Sequence, residues 1–146
     1  MKHLQLLFLA VMLSATACTH NNGDIGDWFG TWVVDEVTAD GTPVNLDLQD
    51  ITGIPGTAYF FQFQTSVVCL RITDAYHNSP ESYGIWQEND NQLTLDFPDE
   101  HARDAYFPGL DKHNTFTIIS RDSKNVVMET VDASGIRFRY TLRKLY

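Results

Sequence analysis

GDWFGTWVVDEVTADG, residues 26–41, sets two tryptophans around a glycine and then runs through β-branched residues to an Asp-Gly pair. Aromatic and β-branched side chains suit a half-buried pleated surface. Asp40-Gly41 is a turn signal. The stretch therefore predicts a strand over Phe29–Val37, stopped at Ala39-Asp40-Gly41. Whatever lies ahead of Phe29 is of another kind, and what lies behind repeats the same pattern.

Seven more short runs follow, each bounded by turn residues: Ala58–Gln64, Ser66–Thr73, Ser82–Gln87, Gln92–Phe97, Thr115–Ser120, Asn125–Val131 and Ile136–Arg143. The last alternates cleanly. Ile136, Phe138, Tyr140 and Leu142 share one face, and Arg137, Arg139, Thr141 and Arg143 the other, which is a strand with one dry side and one wet side. Eight strands with mostly hairpin-length links predict an all-β fold, an eight-stranded up-and-down antiparallel barrel. Closure would pair the N–H and C=O groups that an open sheet leaves bare at its edges. Two longer links, Thr42–Thr57 and Pro98–Asn114, have room for short helical turns around Leu46–Asp50 and Asp99–Tyr106. No internal repeat is visible.

The start of the chain reads as a removable leader. Lys2 and His3 precede an apolar run from Leu4 to Leu13, and small residues lead to Cys18. The run is too short to span a bilayer, which takes about 20 residues. Ala15-Thr16-Ala17-Cys18 resembles a bacterial lipobox, whose cysteine is lipidated and becomes the first mature residue. An ordinary signal peptide with a coincidental cysteine is the competing reading. The expected organisation is a signal peptide over 1–17, a polar tether over 18–27 and a barrel over 28–146. Thr19 after the cysteine resembles outer-membrane sorting, so the expected address is the cell envelope, as an outer-membrane lipoprotein. Cys69, the second of the two cysteines, lies in an apolar strand and is expected to be a small buried hydrophobe. A Cys18–Cys69 disulfide is the alternative.

Charge limits the partners. The chain carries a formal net charge of −9, and Lys2 is the leader's one charged residue, so losing 1–17 leaves −10. Such a surface repels phosphate backbones, which argues against nucleic acid. Membrane contact would come through acyl chains on Cys18.

Phe29-Gly30-Thr31-Trp32 at the first strand resembles the G-x-W signature of the lipocalins and their small bacterial lipocalin-like relatives. Tyr83-Gly84-Ile85-Trp86 and the closing Tyr140-Thr141-Leu142-Arg143-Lys144-Leu145 fit the same resemblance. It implies a Trp32 plug at the closed end of the barrel, with Gly30 letting the chain cross closely. It also implies a basic side chain from the last strand over Trp32, with Arg143 the first candidate and Arg139 the next. Trp28 would cover the plug on the tether side.

Tyr59, Phe61, Phe63, Trp86, Phe116, Phe138 and Tyr140 are the candidate ligand-lining residues. Converging in a barrel, they would form an apolar cup with a few phenolic hydroxyls, or they would simply fill the core. Asp99, Glu100, His101, Asp104, Asp111 and His113 gather in one long link but lack ligand spacing, so no metal and no cofactor is expected. The Glu88–Asn91 stretch reads as a turn. No nucleophile elbow, phosphate loop or Cys–His signature is present, and no enzymatic role is expected. The resemblance implies non-catalytic binding or carriage of a small hydrophobic molecule. A filled barrel acting through its loops, as a protein-interaction or envelope-assembly module with a partner the sequence does not identify, is the alternative.

Overall fold

Alternation along the strands decides the architecture. In the computed structural model, which describes residues 26–46, 57–73, 79–98 and 107–146, the last strand buries Phe138, Tyr140 and Leu142 and exposes Arg137, Arg139 and Arg143. The long strands are β1 (Gly30–Ala39), β3 (Ala58–Phe63), β4 (Val67–Thr73), β5 (Glu81–Asn89), β6 (Gln92–Asp96), β7 (His113–Arg121), β8 (Asn125–Val131) and β9 (Arg137–Lys144), and the same period recurs most cleanly in β3, β5, β6 and β8. A two-residue strand, β2 (Thr42–Pro43), forms a hairpin with the end of β1. Among the described residues it is the one strand not expected from the sequence, too short to carry an alternation. No described residue is helical.

Strand order follows the chain, β2-β1-β3-β4-β5-β6-β7-β8-β9, and β9 pairs back onto β1. The closing seam runs antiparallel from Trp32↔Lys144 to Ala39↔Phe138, with a bulge between Val34 and Glu36. The result is a closed, eight-stranded, up-and-down barrel, in which each long strand has a neighbour on both sides. The buried apolar side chains form one cluster, with Trp32, Val37, Phe61, Val68, Ile72, Leu93, Leu95, Phe116, Val126, Met128, Tyr140 and Leu142 wholly buried.

Register gives the barrel two unlike ends. At one end lie Gly30, the Gln64–Ser66 turn, the turn after Asn89, the turn after Arg121 and the residues after Lys144. This is the floor. The β2–β3, β4–β5, β6–β7 and β8–β9 connections all leave from the other end, the mouth. The leader and Cys18 lie outside the described residues, as do the expected helical turns beyond Leu46 and over 99–106.

Candidate ligand site

Gly30 sits at φ +121, and a Cβ there would stand 2.2 Å from the Tyr146 carbonyl oxygen. That φ lies outside the range L side chains adopt readily, so only glycine admits the close crossing. The crossing is fastened by Thr31 N–H to the Tyr146 carbonyl at 2.9 Å and by Leu145 N–H to the Thr31 carbonyl at 2.8 Å. Trp32 points inward, wholly buried, and its Nε1 donates to the Trp28 carbonyl at 2.9 Å. Trp28 packs beside it with ring centroids 5.8 Å apart and lies 5.0 Å from Phe63. Trp28 Nε1 donates to the Glu88 carboxylate, which Arg121 clamps at 2.7 and 2.8 Å.

The cation over Trp32 is Lys144, not Arg143. Its Nζ lies 5.3 Å from the Trp32 ring centroid and donates to the Asp27 carbonyl at 2.9 Å. Arg143 is on the wet face and reaches Asp35 at 3.2 Å, and Arg139 pairs with Glu129 at 2.6 Å. The alternation that turns Phe138, Tyr140 and Leu142 inward carries Lys144 inward as well and forces Arg143 outward. The signal for the right residue was therefore present in the strand's own period.

The seven aromatic candidates fall into two groups. Phe63 and Trp86 join the floor: their centroids are 5.3 Å apart and edge-on, and Trp86 Nε1 donates to the Gln64 carbonyl at 2.8 Å. Tyr59, Phe61, Phe116 and Tyr140 meet higher up. Tyr140 lies edge-on to Phe61 at 5.8 Å and to Phe116 at 5.7 Å. Phe138 lies nearest the mouth, on the last rung of the seam opposite Ala39.

Phe107, which sequence reasoning missed, is at the centre of the upper group. It belongs to no strand, yet it is only 5% exposed, with its ring edge-on to Tyr59 at 5.1 Å and to Phe61 at 5.0 Å. The next residues fix it there. The Pro108 carbonyl accepts from Tyr140 Oη, and Gly109, at φ +75, lies so close to Phe138 that a Cβ would come within 2.2 Å of its ring. Burial holds the Tyr140 phenol well above its ordinary pKa, so it donates as a neutral hydroxyl. Leu110 packs on the edge of the core.

Beside this segment the wall is split. Pairing between β7 and β8 ends at Thr117↔Glu129, whereas β7 stays paired with β6 up to His113 and β8 with β9 up to Val131. A side-chain bond crosses the gap, from Thr130 Oγ1 to the Thr115 carbonyl at 3.0 Å. A cleft of about 920 Å³ opens there, lined by Gly109, Leu110, Thr115, Thr117, Glu129 and Val131 among others. Among the described residues no three His, Cys, Asp or Glu side chains come together in a way that would hold a metal ion. His113 Nδ1 faces Asp96, and Asp111 accepts from the Lys112 N–H. The other acidic and histidine residues of that link, 99–104, lie outside the described residues.

A closed eight-stranded barrel whose floor is a glycine crossing capped by a buried tryptophan is a lipocalin-like fold, and solved structures bear this out. A lipocalin-like protein from Bacteroides uniformis matches with a TM-score of 0.60 at 16% identity, over 82% of this chain and 100% of its own. An uncharacterized protein from Bacteroides eggerthii matches with a TM-score of 0.59 at 18% identity, over 80% of this chain and 98% of its own. No family model and no curated protein matches the chain.

Proposed function

We propose that this barrel is a non-catalytic carrier that binds a small hydrophobic molecule among the aromatic side chains above the tryptophan floor. The observation that supports it is the upper aromatic group. Tyr59, Phe61, Phe116 and Tyr140 converge from three strands into one packed apolar group, and the residue completing that group, Phe107, comes from outside the sheet. Concave apolar surface with a few placed hydroxyls is the general form of a small-molecule site. The proposal extends to the address: an envelope lipoprotein held to the outer membrane through lipid on Cys18, with 19–27 as its tether.

Native mass spectrometry of protein extracted from its own envelope tests the carrier. An apolar molecule retained at one per chain is the expected result. A chain that arrives empty and binds no apolar fluorescent probe refutes it. The anchor has its own test: Cys18→Ala should leave the protein soluble, and unchanged membrane retention would refute lipidation. The contact of Phe107 with Tyr59 and Phe61 also favours a second reading, a filled barrel that works through its mouth as a protein-interaction module. A folded protein that binds no probe but retains a protein partner through its mouth would establish that reading instead.

A further inference from the structure

Phe107 is a phenyl group held by edge contacts with two aromatic walls, Tyr59 at 74° and Phe61 at 88°. Edge-to-face packing is specific to rings: the positive edge of one meets the negative face of another, about 0.5–1.5 kcal/mol beyond the area buried. An alkyl chain in the same place gains no such term. The niche is therefore selective for aryl groups over alkyl groups of equal size.

The phenyl group is also detachable in a way that a strand residue is not. No ladder hydrogen bond holds Phe107, Pro108 or Gly109, and the residues just behind them already line the open cleft between β7 and β8. The Phe107 ring contacts, the Tyr140–Pro108 hydrogen bond, the contact of Gly109 with Phe138 and the packing of Leu110 on the edge of the core seat the segment. None of residues 107–110 takes part in a strand pairing.

We infer that the space between Tyr59 and Phe61 is an aryl-binding subsite and that Phe107 is its built-in competitor. An incoming ring replaces the Phe107 ring while residues 107–110 move toward the β7–β8 cleft. This rests on the carrier reading and names its ligand class, an apolar molecule bearing an aryl group. It also makes Phe107 the residue that sets affinity, because the ligand binds only the fraction of molecules whose niche is vacated.

Fluorescence titration of the mature protein with N-phenyl-1-naphthylamine, an aryl probe, and with cis-parinaric acid, an unbranched alkenyl probe, tests this. Phe107→Ala should tighten the aryl probe about tenfold, and should change the alkenyl probe, which has no ring to seat and does not need the niche vacated, far less. Equal gains for both probes would overturn the aryl assignment. Unchanged aryl affinity in Phe107→Ala, with a wild type that binds, would overturn the competitor and leave the carrier reading standing. Aryl binding by Phe107→Ala alone, with an inert wild type, would support the subsite and refute carriage. No binding of either probe by any variant would end both. Phe107→Leu, which keeps apolar bulk but removes the ring, carries the same comparison if the alanine variant does not fold.

Discussion

Arg143 and Lys144 are chain neighbours with opposite surroundings, and that difference can be measured. The Lys144 ammonium sits over a buried indole and caps the Asp27 carbonyl, where a cation–π contact is worth about 0.5–2 kcal/mol. Arg143 holds Asp35 in open solvent, where an ion pair is worth about 0–1 kcal/mol. In urea unfolding, Lys144→Ala should cost more than Arg143→Ala by about 1 kcal/mol. The reverse order would mean that the floor is capped otherwise. Cys69 is a second residue whose neighbours matter more than its type. It faces the outer wall across from Tyr83, which is 58% exposed and covers it, leaving Cys69 6% exposed. Burial, then the Glu81 carboxylate, pushes the thiol up to about 11. The folded protein should resist thiol-specific labelling at pH 8, and Tyr83→Ala should speed labelling at least tenfold at equal stability; equal rates would show that Tyr83 is no cover. That Cys69 would be buried was legible from its apolar run. Its position outside the core was not, because a strand period fixes alternation without fixing which side is inside when Val67, Val68 and Leu70 are all apolar.

Strand β8, Asn125–Val131, has the bounds its sequence predicts, because Asp122 and Asp132 mark both ends with side-chain turns. β5 runs on through Glu88 and Asn89, where the sequence shows only polar turn-formers. Glu88 is kept in the strand by Trp28 and Arg121, partners 60 and 33 residues away that no local pattern reveals. Phe107 was invisible for a related reason. It lies in a 98–114 link with no alternation, so neither strand period nor turn chemistry marks it as interior. The split between β7 and β8 was equally hidden, since both strands carry good alternation and only pairing shows where they part. The split yields a prediction of its own. Thr130→Val removes the side-chain bond across it and should cost about 1 kcal/mol. Amide exchange should quicken selectively at His113–Phe116 while β1 and β9 stay protected. Uniform acceleration, or none, would mean that the bond does not hold the gap.

Taken whole, the barrel should be sensitive to alkali. Cys69 rises from 9.0 to about 11, Tyr83 rises to about 12 chiefly through its hydrogen bond to Glu81, and the buried Tyr140 rises as well. In each case the unfolded chain gives up its proton first, so unfolding releases protons and stability falls as pH rises. The Cys69 share is fully present below pH 9 and is lost as pH climbs toward 11. Urea midpoints should therefore drop across that window, and drop less in Cys69→Ala; a flat wild-type profile would contradict the assignment. The overall form has a further consequence for traffic. The described chain comes in underneath the floor, where Lys144 grips Asp27 and Trp28 lies against Trp32, while every long connection leaves from the mouth. Anything moored ahead of Gly26 therefore grips the vessel by its base. With the proposed mooring at Cys18, eight residues away, the base can stand no more than about 28 Å from its anchor. On the proposed carrier reading, such a mooring keeps the closed base within that reach of the membrane and leaves the mouth, the end the tether does not touch, as the side on which cargo would enter.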